Sequence, residues 1–221
     1  MEYLTLSLIA LVSYLLGSIP TGYWLGKATK GIDIRECGSG STGATNVLRC
    51  VGKKEALIVL VVDIAKGYLP VAMALYIQST HPELLPALMP NLAGVMAAIC
   101  SIFGHSRSIF LKFSGGKSAA TGIGTLFALH PLGALGTLLV WLAVLFTSKI
   151  VSLASITAAV ACPIIMFILH APQAILGYAV IAFLYVTLRH RSNIKRLMEG
   201  TESKYTDKPK NSPAIEPEKT A

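Results

Sequence analysis

Three polar stretches break up an otherwise apolar chain, and each carries groups suited to binding anions. Residues 31–49 form the first, and within 38–46 every residue but Ala44 is a glycine, a hydroxyl or an amide. Gly38 and Gly40 let the backbone approach a ligand, while Ser39, Ser41, Thr45 and Asn46 add hydrogen bonds; together these are the ingredients of an anion nest. Arg49 closes the stretch with a guanidinium that forks onto phosphate oxygens. A flexible linker has the same composition, but the arginine and the helix start at Thr45-Asn46 favour a site. The second stretch contains Gly104-His105-Ser106-Arg107 and then Lys112-Phe113-Ser114-Gly115-Gly116-Lys117-Ser118. Gly-Gly-Lys-Ser ahead of an apolar helix has the form of a phosphate-loop end, with backbone amides facing the anion and Lys117 as counter-charge. Its bland rival is a basic turn on lipid head groups, with His105 an ordinary interfacial histidine. The third stretch is Arg189-His190-Arg191-Ser192-Asn193-Ile194-Lys195-Arg196-Leu197. Continued as a helix, it puts His190 and Asn193 on one face, although a stop-transfer cluster needs nothing more. Asp63 and Lys66, followed by Gly67, sit inside an apolar run. Each alone costs about 2.5–3.5 kcal/mol at a bilayer-spanning helix centre, so they must pair or face a polar cavity.

The elements that must position these groups are membrane spans. Of 221 residues, 53% are hydrophobic and 14% charged, with a mean hydropathy of +0.63. So few charges exclude a soluble domain of this size. The net charge of +8 suggests nucleic acid until the charges are located: they lie between and after apolar runs, as in a multi-span membrane protein. Four runs of spanning character cover 4–25, 56–77, 88–103 and 151–169, and a shorter one covers 173–188. Residues 118–147 are interrupted at His130-Pro131, so they form one long helix or two short ones. Charge decides. Lysines and arginines crowd 27–54, 104–117 and the stretch from Arg189 onward, while 78–87 and 170–172 have none. Putting all three basic stretches on the cytoplasmic face requires an even number of crossings between 117 and 189. The expectation is an all-α polytopic bundle of seven spans, N-terminus outside and C-terminus cytoplasmic. Residues 1–202 form the membrane domain and 203–221 a disordered cytoplasmic tail. The four cysteines suggest neither a zinc site nor a disulfide framework.

Several chemistries are excluded. The sequence lacks the first glycine that a full phosphate loop ending at Gly116 requires, and no strand ends in aspartate, so a nucleotide hydrolase is not indicated. No carboxylate pair with metal-like spacing supports a magnesium-dependent phosphotransferase, and no glycine-x-serine-x-glycine elbow is present. Three phosphate-binding loops on one face of an apolar bundle suit an enzyme that joins a phosphorylated polar molecule to a lipid-soluble one. A transporter of small phosphorylated solutes is the rival, though transporters hold substrate near the bilayer midplane. A structural lipid-binding protein leaves the three-loop coincidence unexplained.

Gly17-Ser18-Ile19-Pro20, residues 38–46 with Arg49, Asp63-Ile64-Ala65-Lys66-Gly67, Gly104-His105-Ser106 with residues 112–117, and residues 189–197 with Gly200 and Glu202 occur in that order. Together they resemble the bacterial membrane-integral glycerol-3-phosphate acyltransferases that use acyl phosphate as donor. The resemblance implies seven spans in the bacterial cytoplasmic (inner) membrane with the site on the cytoplasmic face. It implies transfer of a fatty acyl group from acyl phosphate to the 1-hydroxyl of sn-glycerol 3-phosphate, giving lysophosphatidic acid, the first step of phospholipid synthesis. Carried over by position, Ser39, Arg49, Lys117, His190 and Asn193 are catalytic. Gly38, Gly40, Ser41, Thr45, Asn46, Lys66, His105, Gly115 and Gly116 bind substrate. The partners are acyl phosphate, glycerol 3-phosphate and the bilayer, with no nucleic acid, and no metal or cofactor is required. Ser39 either binds phosphate or briefly holds the acyl group, and His190 is either general base or orienting group. The chain departs from the family at Ser41, usually asparagine, and at Ser118, usually glycine, where a different local backbone is expected.

Overall fold

A computed structural model describes residues 1–87 and 89–207. Ten α-helices carry the described chain: α1 Glu2–Ser18, α2 Thr21–Lys30, α3 Ala44–Cys50, α4 Lys53–Thr80, α5 Leu92–Ser106, α6 Ala119–Leu129, α7 Pro131–Ser148, α8 Val151–Ile168, α9 Gln173–Arg189 and α10 Arg191–Met198. The stretch from α1 through α2, α4, α7 and α8 supply four runs long and apolar enough to cross a bilayer. α9 with α10, bent by 62°, makes a fifth; α5 and α6 are apolar but shorter. The break at His130-Pro131 separates α6 from α7, as the interrupted hydropathy predicted. His130 Nδ1 accepts from Gly133 N at 3.1 Å and Pro131 occupies the first helical position, where its missing N–H costs nothing.

The bundle is apolar outside and partly polar inside. Leu139, Phe146 and Phe167 are exposed, whereas Ser101, Thr121 and Thr125 are fully buried. A bilayer supplies the apolar solvent that makes this distribution stable. Buried hydroxyls and small residues let backbones approach closely. α1 crosses α5 where a Cβ on Gly17 would strike Ser101 O and one on Gly104 would strike Tyr14 O. α4 crosses α6 likewise, Gly67 against Thr121 O and Gly124 against Ile64 O. The second crossing positions the site, because it fixes Asp63 of α4 beside the start of α6.

The Asp63–Lys66 pair expected inside α4 is present. Lys66 Nζ lies 2.8 Å from Asp63 Oδ1 and donates at 2.8 Å to Ile19 O. Ile19-Pro20 is the break between α1 and α2, so the buried ammonium also satisfies a carbonyl left over where the helix is interrupted.

Substituting Gly67→Leu should force α4 and α6 apart and lower stability in detergent by about 1–3 kcal/mol, the usual cost of overpacking. Gly177→Ala, where an added Cβ meets nothing within 4 Å, should leave it unchanged or slightly raise it. Thermal unfolding of the two variants beside the parent checks both.

Candidate active site

The first loop is built around one amide. Asn46, 2% exposed, directs Nδ2 at the carbonyls of Ile34, Cys37 and Ser41 at 3.0, 3.0 and 2.9 Å, while its Oδ1 accepts from Ser39 N at 2.9 Å. Its polar atoms are therefore spent on the loop. Gly38 and Gly40 take φ of +58° and +68°, which folds the backbone tightly around that amide. Asp33 accepts from Arg35 N and binds the Arg35 guanidinium through both oxygens, at 3.0 and 2.6 Å. This arginine holds the Asp33 carboxyl below the usual carboxylate range. Cys37 and Cys50 are disulfide-bonded across the base of the loop, with Cα atoms 6.2 Å apart. No disulfide was expected, because this pairing depends on the fold of the loop and on α3 turning back, and the spacing alone carries no sign of it.

The second loop is held from below. Gly116 N donates to His105 O at 3.1 Å, Arg189 Nη2 donates to Gly116 O at 3.0 Å, and a Cβ on Gly116 would strike the His105 imidazole. His105 Nδ1 in turn lies 3.5 Å from Asp63 Oδ1. The loop thus rests on a buried Lys66–Asp63–His105 chain. Ser118 adopts a φ of +63° at the start of α6. The serine therefore takes the left-handed backbone that a glycine would, and the expected local difference is absent. Its buried hydroxyl donates to Ile102 O at 2.7 Å, which offsets the conformational cost.

The third cluster follows the bend after α9. His190 Nδ1 donates to Val186 O at 2.8 Å, which leaves Nε2 as the acceptor. Burial pushes His190 down to about 4, and Lys117 adds to the effect, so the ring is neutral at pH 7. Asn193 Nδ2 donates to Glu202 Oε1 at 2.6 Å. Glu202 also accepts from Ser152 Oγ at 2.7 Å and from Arg196 Nε at 2.6 Å. Residues 201–207 then cross the site: Arg49 Nη2 donates to the carbonyls of Ser203 and Lys204 at 3.1 and 3.3 Å, and Tyr205 N reaches Lys149 O at 2.9 Å. Of the tail expected to be disordered, 203–207 is this strap; 208–221 lies outside the described residues.

These parts enclose one cavity of about 490 Å³. Ser39, Arg49, Lys117, His190 and Asn193 all line it, as do Gly38, Ser41, Thr45, Asn46 and His105. Gly40, Lys66, Gly115 and Gly116 do not; the last three support the loops from behind. Ser152 and Ser155 also line it and carry no motif; Arg196, part of the third basic stretch but given no role there, lines it too. Asp63, expected to pair or to face a polar cavity, does both, and Glu202 lines the cavity too. The mouth is cationic. Burial pushes Lys117 down to about 8, opposed by Glu202 and reinforced by Arg196, Arg49 and Arg189. Arg49 Nε and Asn193 Oδ1 are buried without a hydrogen-bond partner among the described residues. Below the mouth the walls turn apolar, with Ile64, Ile123, Leu126, Leu138 and Phe183.

The model of the family described as glycerol-3-phosphate acyltransferase matches residues 7–200. A glycerol-3-phosphate acyltransferase of Crocosphaera subtropica is 51% identical over 209 residues, covering 94% of this chain and 97% of the relative. One from Synechocystis sp. is 51% identical over 202 residues, covering 90% of each. Among solved structures, PlsY, an integral membrane glycerol 3-phosphate acyltransferase, superposes in its glycerol 3-phosphate form with a TM-score of 0.82 at 36% identity, covering 90% of this chain and 95% of that one. Its lysophosphatidic acid form gives a TM-score of 0.79 at 35% identity over the same shares.

Asn46→Ala should remove the centre of the first loop and cost about 2–4 kcal/mol, since four backbone groups lose a buried partner. Asn46→Asp should be no milder, because it sets a carboxylate against three carbonyls. Thermal unfolding in detergent measures both, and near-parent stability of either variant would contradict the role given to this amide.

Proposed function

The chain belongs to the glycerol-3-phosphate acyltransferase family, and from that premise we propose that it transfers a fatty acyl group from acyl phosphate to the 1-hydroxyl of sn-glycerol 3-phosphate. The products are lysophosphatidic acid and inorganic phosphate. The observation that carries this reading is one continuous cavity running from a cationic mouth to apolar walls, which gives one site for a phosphate-bearing acceptor and a lipid-soluble donor. Seven crossings with the three basic loops on the cytoplasmic side of the bacterial inner membrane agree with the charge distribution. That arrangement lets the acceptor arrive from water and the donor from the bilayer.

The hydroxyl oxygen forms a bond to the acyl carbonyl carbon, and the bond from that carbon to the phosphate oxygen breaks. Phosphate is a good leaving group, so neutralising charge and positioning the hydroxyl matter most. Lys117 and the amides of its loop take the glycerol phosphate. Arg49, with Ser39 beside it, takes the donor phosphate, exchanging its contacts with the 201–207 carbonyls for phosphate oxygens. His190, neutral and with Nε2 free to accept, holds the attacking hydroxyl. Since burial holds its pKa at about 4, the hydroxyl proton passes on to the departing phosphate. Asn193, fixed by Glu202, keeps its Oδ1 for a donor on the substrate.

Purified protein in detergent, given radiolabelled glycerol 3-phosphate with acyl phosphate or acyl-CoA, tests the reading. Lysophosphatidic acid should form from acyl phosphate alone, and folded Ser39→Ala and Arg49→Ala variants should lose about a hundredfold or more. Product from acyl-CoA alone would overturn the donor; no product from either would overturn the activity.

A further inference from the structure

The cavity has a floor, and the floor is built of polar side chains that turn to one another. Thr137 of α7, Cys162 of α8 and Tyr178 of α9 line the cavity, Thr125 of α6 stands behind Tyr178, and all four are at most 5% exposed. Three helices thus close it, with α6 backing the tyrosine. The Thr125 and Tyr178 hydroxyls are hydrogen-bonded together, Thr125 Oγ1 also donates to Gly122 O at 2.7 Å, and Thr137 Oγ1 donates to Gly133 O at 2.8 Å. With those hydroxyls satisfied internally, an apolar chain end meets no polar group that needs water. Beyond this layer the space is filled: Leu129, Ala134, Met166 and Ile175 belong to the same buried apolar cluster. Cys162 stands three turns into α8 from Val151, and Tyr178 three turns before Arg189, so the layer lies ~16 Å below the mouth.

We propose that this layer is the stop for the methyl end of the donor's acyl chain and sets the longest chain the enzyme accepts. The inference rests on the acyl-donor reading above and adds a length limit to it. A donor that fits keeps its whole chain in the cavity; a longer one must leave methylenes bent or outside, each worth about 0.8 kcal/mol when buried. Two wall positions let the floor be raised. Ala158 sits one turn above Cys162 on α8, and Ala182 one turn above Tyr178 on α9, both on the cavity wall.

The test compares kcat/KM for saturated acyl phosphates from octanoyl to stearoyl. Ala158→Leu and Ala182→Leu should each move the fall toward shorter chains and lower the lauroyl-to-octanoyl ratio about tenfold or more, and Tyr178→Leu should move it toward longer ones. An unchanged length profile in an active Ala158→Leu or Ala182→Leu enzyme would overturn the stop. Loss of all donors alike in a folded variant would also overturn it. Should the variants fail to fold, the unmodified enzyme carries the test: a stop predicts an abrupt fall in kcat/KM as chains lengthen, and a flat profile through the longest donor contradicts it. Failure of the parent reading looks different, since the unmodified enzyme would then yield no product from any acyl phosphate.

Discussion

Holding cations where little water reaches them is the constraint on which the rest of the structure depends. Arg49, Lys117 and Arg196 ring the mouth of one cavity. A buried ammonium is costly until an anion arrives, and that cost is visible in Lys117, which burial pushes down to about 8. The site keeps this unfavourable charge because something else maintains its geometry. Glu202 gathers Ser152, Asn193 and Arg196, Arg189 supports the Gly-Gly-Lys loop, and Asn46 organises the residues around Ser39. Glu202 neutralises Arg196, while Arg49 and Lys117 have no ion pair among the described residues, which is the condition a phosphate dianion relieves.

Beneath the mouth the requirement reverses. An acyl chain needs a dry, apolar wall, and the helices provide one by bonding their hydroxyls to each other and to backbone carbonyls. The bundle therefore uses serine, threonine and glycine for two purposes. In the loops Gly38, Ser39, Ser41 and Thr45 line the cavity; in the crossings of α1 with α5 and α4 with α6 such residues bring backbones close. The Lys66–Asp63–His105 chain joins the two regions. It lies among the helices, satisfies the carbonyl at the Ile19-Pro20 break, and carries the second loop on its upper end.

Much of this was legible in the residues because hydropathy, charge and small polar residues act locally. The helix break at His130-Pro131 follows from the missing N–H of one proline, and the three loops stand out as islands of glycine, hydroxyl and basic side chains. The distinction between lining the cavity and supporting what lines it was not legible. Lys66, Gly115 and Gly116 carry the right chemistry yet sit behind the loop, since only the packing of α4, α5 and α9 decides which way a residue is used. Ser152 and Ser155 gave the opposite error. They belong to no motif, and they reach the cavity through the tertiary placement of α8. The Cys37–Cys50 pairing was hidden for the same reason, and the left-handed backbone of Ser118 is retained through a hydroxyl contact that no spacing reveals.

The most direct measurement of the account is the proton taken up when glycerol 3-phosphate binds. With Lys117 at about 8, about half of the free sites at pH 8 carry a neutral amine. A bound dianion favours the ammonium and draws a proton from the buffer. Titration calorimetry at pH 8 in two buffers of different ionisation enthalpy should report uptake of about half a proton per site. That uptake should vanish in Lys117→Arg, whose guanidinium is already charged. Heats that are independent of the buffer in the unmodified protein, or uptake that persists in Lys117→Arg, would contradict a mouth built from dehydrated cations.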